Sequence, residues 1–166
     1  MSEKTSHPLN NEYTHWHDVT SLRYQLFLQS LTALELDDAK RHLTVFSNLL
    51  NTSIRFSDQR IEELLDETDE STQMVKADHL ILTRTLALAE RGLTELQQLE
   101  QARPSSLRAE LVNRLDIFVR LNNILSRHQI RQIESLFPMF EAKVSEQEAV
   151  SLASNYTEAM QQAHPN

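Results

Sequence analysis

The chain reads as an all-α protein, an antiparallel up-down-up-down four-helix bundle with a short extra C-terminal helix, and three observations lead there. Its 166 residues contain one glycine and four prolines, so hairpin turns and Gly-rich phosphate loops lack their chemistry. Apolar residues recur at alternating steps of three and four over most of the length, which is the period of an amphipathic helix. The 40% hydrophobic content of a chain this size suits one core, and no stretch reaches the ~20 apolar residues of a membrane span.

Residues 1–12 are polar, include Pro8 and show no period, which predicts a flexible arm ahead of a single domain over residues 13–166. The first helix is expected from about Thr14 to Leu36, with His17, Tyr24, Leu28 and Leu31 along one side, although Thr20 or Ser21 interrupts that stripe and leaves the inward face open. Asp37 and Asp38 then supply N-cap chemistry for a second helix, whose inner side reads Ala39, Leu43, Phe46, Leu50, Ser53, Ser57, Ile61, Leu64. An acidic run, Asp66 to Glu70, breaks that pattern, and Ser71 and Thr72 offer the next cap. The third helix has the cleanest period: Val75, His79, Leu82, Leu86, Ala89, Leu93 and Leu96 keep to one seam.

A connection over residues 97–106 contains Pro104 and leads into the fourth helix. Its stripe runs Leu111, Leu115, Phe118, Leu121, Leu125, His128, Gln132, Leu136, with Pro138 marking its end or a bend. Ser145-x-x-Glu148 has capping-box spacing, and Val144, Leu152, Tyr156 and Met160 make a short fifth helix that covers one end or side of the bundle.

The informative positions are the polar ones on these inward stripes. Burying an unpaired polar group costs a few kcal/mol, so a polar side chain at a core position needs a partner. His17 and His79 fall near the starts of the first and third helices, and Ser53, Ser57, His128 and Gln132 toward the ends of the second and fourth. Antiparallel packing brings all of these to one end of the bundle, at ~1.5 Å rise per residue. One polar layer is the expectation.

His128-x-x-x-Gln132-x-x-x-Leu136-Phe137-Pro138, with Asp78-His79 upstream, resembles the hemerythrin-like cation-binding family, which carries a lone His followed one helix later by His-x-x-x-Glu and Leu-Phe-Pro. The resemblance covers roughly residues 14–140. It implies a hemerythrin-like bundle, iron, and sensing or storage linked to dioxygen or nitric oxide. It also implies His79 and His128 as metal ligands, His17 as the first-helix candidate, Gln132 at a carboxylate position, and Ser53 and Ser57 at the second-helix His and Glu positions.

The departures from the family pattern bear on its chemistry. A pair of iron ions needs bridging carboxylates, and Gln132 and Ser57 are both neutral. Glu134 faces away by about 200°, and Asp58 and Asp78 each stand about 100° off the inner seam, so a regular helix brings none of them into the bridge. Three imidazoles could still hold one divalent ion with a water. Three readings therefore stand: a metal-free hydrogen-bonded layer, a single weakly held ion, and a working two-iron site.

Other function classes are disfavoured. The chain has no cysteine, hence no thiolate site, and no Ser-His-Asp constellation with an exposing turn. Glu67 to Glu70 lacks the alternating ligands and glycine of a calcium loop. His79-Leu-Ile-Leu lacks the Lys and Gly expected after a phosphate-accepting histidine. With a formal charge of −8 and basic residues scattered among acids, nucleic acid is not expected as a partner, and for want of an apolar span neither is a membrane. The absence of an apolar leader points to the cytoplasm. The leading expectation is a small binding or regulatory protein with an eroded metal site, with an enzymatic role left open as the less favoured case. The alternatives are a two-iron protein and a metal-free adaptor that presents a helix face to a protein partner.

Overall fold

A computed structural model of the chain describes residues 8–66 and 68–164. Among these residues the protein is entirely helical: α1 spans Pro8–Thr32, α2 Leu36–Leu64, α3 Glu70–Ala102 and α4 Leu107–Arg131. A turn of π-helix over Gln132–Leu136 links α4 to the short α5, Phe137–Glu141, and α6 runs over Glu146–Ala163. Neighbours in sequence pack antiparallel, α1 on α2, α2 on α3 and α3 on α4, and α6 lies against both α1 and α2. No described helix is long and apolar enough to cross a membrane.

The first helix departs from its expected bounds at both ends. Residues 8–12, expected within the arm, are helical: Leu9 is fully buried and its amide donates to Glu141 Oε1 at 3.1 Å, which ties the start of α1 to α5. Residues 1–7 lie outside the described residues. Downstream, α1 stops at Thr32, four residues before the expected Leu36. The Glu35 amide bonds the Ser30 carbonyl and the Leu34 amide bonds the Leu31 carbonyl, a Schellman closure with Leu34 at φ 63°. Glycine usually takes that left-handed position, so a leucine there hid the turn; its side chain packs on the core in return.

The remaining ends are capped by chemistry the sequence carries, though not always at the expected residue. Asp69, rather than Ser71 or Thr72, caps α3 by accepting from the Thr72 amide at 3.1 Å. The second helix starts at Leu36 without a side-chain cap, so Asp37 and Asp38 sit in its first turn and favour the helix dipole instead. Ser145 and Glu148 form both halves of the capping box on α6.

The inward stripes of α2, α3 and α4 are buried as expected, apart from the half-buried Leu64 and Leu115. On α4 the spacing from Leu125 is three, four, four, four through His128, Gln132, Leu136 and Phe140. Repeated steps of four drift about 40° each around a regular α-helix. The π turn inserts an extra residue in the winding and cancels the drift, so that Gln132, Leu136 and Phe140 all stay buried.

Two apolar clusters result. The first, built from Tyr24, Phe27, Phe46, Leu82, Phe118 and Leu121 among others, belongs to the four long helices. The second gathers Leu9, Tyr13, Ile61, Phe137, Phe140 and Tyr156 from the ends of α1 and α2 and from α5 and α6. Along each long helix the expected inward polar positions, His17, Ser53 and Ser57, His79, and His128 and Gln132, fall between these two clusters.

Candidate functional site

At that boundary His79 of α3 and His128 of α4 meet edge to face, with ring centroids 4.8 Å apart and planes at 71°. They are 4% and 2% exposed. An aspartate one helix back lies near each, but only His79 is hydrogen-bonded to its own. Asp58 of α2 lies 2.6 Å from His79 Nδ1, and Asp78 of α3 lies 3.7 Å from His128 Nδ1 while pairing with Arg131. The 2.6 Å contact places a proton on His79 Nδ1 in the neutral ring, which leaves its Nε2, buried and without a hydrogen-bond partner, as an acceptor.

Beside this pair, Gln132 is fully buried and donates from Nε2 to Ser57 Oγ at 3.2 Å, while its Oε1 has no hydrogen-bond partner. The two residues that stand at the expected bridging positions thus bond each other.

A second group of polar side chains adjoins the first through His128. Tyr156 of α6 and Ser53 of α2 share a hydrogen bond of 3.1 Å, and the rings of Tyr13 and Tyr156 are 5.7 Å apart. These three residues, with His17, His128 and Gln129, line a cavity of about 10 Å³. That volume is close to the least that admits one water molecule. His17 sits at the edge of the interior: its Nδ1 reaches toward Asp18 at 3.4 Å, and its Nε2 is buried and unpartnered. Of the neighbouring positions, His15 is exposed and Trp16 buried, so the His15-Trp16-His17 run turns only its last two members toward the interior.

Burial governs the electrostatics. It lowers the pKa of His128 to about 4, aided by the neighbouring His79 and Arg131 and opposed by Asp78. Burial also pushes Asp78 up, but His128 and Arg131 outweigh it and hold the carboxyl below its ordinary value. The phenols of Tyr13 and Tyr156 are raised by desolvation and stay neutral. The layer therefore carries neutral His128, neutral tyrosines and an ionised Asp78 near neutral pH.

The expected residues do come to one depth, and His79 meets His128, Gln132 meets Ser57, and His17 and Ser53 share the cavity with His128. The reading of the sequence missed Asp58 and Asp78 as partners, because about 100° off the seam places a carboxylate beside the inward face of its own helix. It is nonetheless within reach of the next helix's histidine. It also missed Tyr13, Gln129 and the inward role of Tyr156 in this layer. The adjacency of Asp58 to Ser57 and of Asp78 to His79 was the available signal.

A two-metal centre does not fit these donors. The positions that the resemblance assigns to bridging carboxylates hold a serine and a glutamine bonded to each other, and among the described residues no group of three or more His, Cys, Asp or Glu side chains is placed to hold a metal ion. Compared with known proteins, the chain matches no family model, no curated protein and no solved structure.

Proposed function

We propose that the protein is a divergent hemerythrin-like bundle that serves as a small binding or regulatory protein, its metal centre replaced by a hydrogen-bonded polar layer that holds one divalent ion weakly or none. The observation that carries this reading is the Ser57–Gln132 hydrogen bond. Carboxylates there would hold two cations a few ångströms apart and offset their charge; a hydroxyl and an amide satisfy each other instead. The Asp58–His79 contact completes the same logic, since a carboxylate that orients an imidazole through Nδ1 fixes its tautomer with or without a metal. In this reading the layer sets helix register, a known use of buried polar groups in bundles.

The weak single-ion form of the reading draws on the unpartnered Nε2 atoms of His79 and His17, which are lone-pair donors when neutral. The test is purification without chelator, followed by elemental analysis and thermal melts with Fe(II) or Zn(II). Less than one tightly held equivalent, with a melting point that barely moves, supports the proposal, because a ligand that prefers the native state must raise the midpoint. Two equivalents of iron with a near-ultraviolet charge-transfer band would sink it in favour of a working two-iron protein. The paired substitution Ser57→Glu with Gln132→Glu is expected to raise Fe(II) affinity by about tenfold or more, read by titration, because it restores both carboxylates to the layer.

A further inference from the structure

Basic residues are scattered among acids over most of the chain, but two stretches concentrate them. Residues 74–91 of α3 and 119–131 of α4 contain Lys76, Arg84, Arg91, Arg120, Arg127 and Arg131 against only Asp78 and Glu90, in a chain that elsewhere is strongly acidic. Among the described residues, Arg84, Arg91, Arg120 and Arg127 have no carboxylate within ion-pair distance, as is also true of Arg23, Arg55, Arg103 and Arg108 elsewhere, whereas Arg131 pairs with Asp78 and Arg114 joins Glu95 across α3 and α4. The same two stretches hold six of the nine exposed large hydrophobic residues of the described chain: Met74, Leu80, Ile81, Leu88, Val119 and Ile130.

These residues form a pattern. Met74, Ile81 and Leu88 recur every seven residues, which aligns them in one stripe on α3 over about 21 Å. At one end of that stripe Met74 and Ile130 line a groove of about 400 Å³ together with Arg127, Glu134 and Arg131, the last paired with Asp78. Exposed apolar side chains at heptad spacing, with a groove at one end and guanidinium groups that lack carboxylate partners on the same two helices, match one kind of occupant: a third helix with apolar residues at the same repeat and carboxylates on its flanks. A nucleic-acid backbone would leave the apolar stripe uncovered or in contact with phosphate. A lipid surface would meet a groove rather than a protruding apolar edge.

We propose that the α3/α4 face is a docking site for an acidic amphipathic helix of a partner protein. The inference is independent of the polar layer. Apolar anchors supply the contact area, and the four unpaired arginines supply orientation and speed of encounter.

The test uses the full chain and a labelled synthetic helical peptide of about twenty residues, with leucines at heptad spacing and glutamates between them, read by fluorescence anisotropy. Binding is expected that weakens at high salt, that falls about tenfold or more in Arg120→Glu with Arg127→Glu, and that is unchanged in Arg55→Glu on α2. Ile81→Asp with Leu88→Asp should abolish it, and circular dichroism melts establish that each variant is folded. If the apolar variant does not fold, the arginine variant alone decides. Failure of the wild-type chain to bind the peptide would overturn the proposal, as would equal binding of a lysine-for-glutamate counterpart. So would concentration-dependent dimerisation abolished by the same substitutions, preferential binding of single-stranded RNA, or co-sedimentation with phosphatidylserine vesicles that the peptide does not displace.

Discussion

The two apolar cores on either side of the polar layer are built differently. The first is made by four long helices whose stripes already face one another, with Tyr24, Phe27, Phe46 and Phe118 as its aromatic centre. The second exists only because pieces distant in sequence close over it: α5 and α6 supply Phe137, Phe140, Tyr156 and Met160 to the start of α1 and the end of α2. Helices whose neighbours follow directly in sequence build one core from local pattern, while the other depends on a π turn and on the docking of α6. The polar layer is where the two constructions meet.

The largest effect expected is from emptying either core. Phe118→Ala and Phe137→Ala, both at fully buried positions, should each cost about 3–5 kcal/mol in denaturant unfolding. The comparison is sharpened by where the damage appears. Loss of Phe137 should release α6 and α1 first, seen as early loss of hydrogen-exchange protection there, whereas loss of Phe118 should loosen all four long helices together. Uniform loss in both variants would show that the two cores are one cooperative unit.

Acid should act on the layer next. His128 has a folded pKa of about 4 and an ordinary value near 6.5 when unfolded. The native state thus binds the proton less readily than the unfolded state, and the stability this gives is complete above about pH 6.5. It is lost as pH falls from there toward 4, on the order of 3 kcal/mol in all. Denaturant curves from pH 7 to pH 4 should show that decline, and His128→Leu should flatten it; an equal decline in the variant would place the sensitivity elsewhere.

Two smaller changes separate the regions further. Tyr156→Phe removes the hydrogen bond to Ser53 while keeping the ring, and should cost about 1 kcal/mol in thermal unfolding. Gly92→Ala should act in the opposite direction. A Cβ there would meet Phe118 Cζ at an ordinary 3.6 Å, so the helix propensity of alanine should raise stability by about 0.5–1 kcal/mol.

Much of this was legible in the chain because a helix writes its buried face into its own period. Val75, His79, Leu82 and Leu86 on α3, and Phe118, Leu121, Leu125 and His128 on α4, are buried as their spacing required. The arrival of polar residues at one depth followed from helix length and antiparallel order. The end of α1 was not legible, because Leu34 takes a conformation that its side chain does not advertise. The start of α1 was hidden too: Pro8 and the polar residues near it carry no period, and Leu9 is held down by α5, far away in sequence.

The sequence by itself determined that the protein is helical, which stripe of α2, α3 and α4 turns inward, and that histidine, serine and glutamine interrupt three of those stripes at matching places. Only the tertiary structure decided how the interruptions pair. Asp58 goes to His79, Asp78 lies beside His128, and Gln132 bonds Ser57. Periodicity reports a residue's angle around its own helix axis. Which group of another helix lies within the reach of a side chain depends on the rotation and offset of two packed rods, and no single stretch of sequence records that.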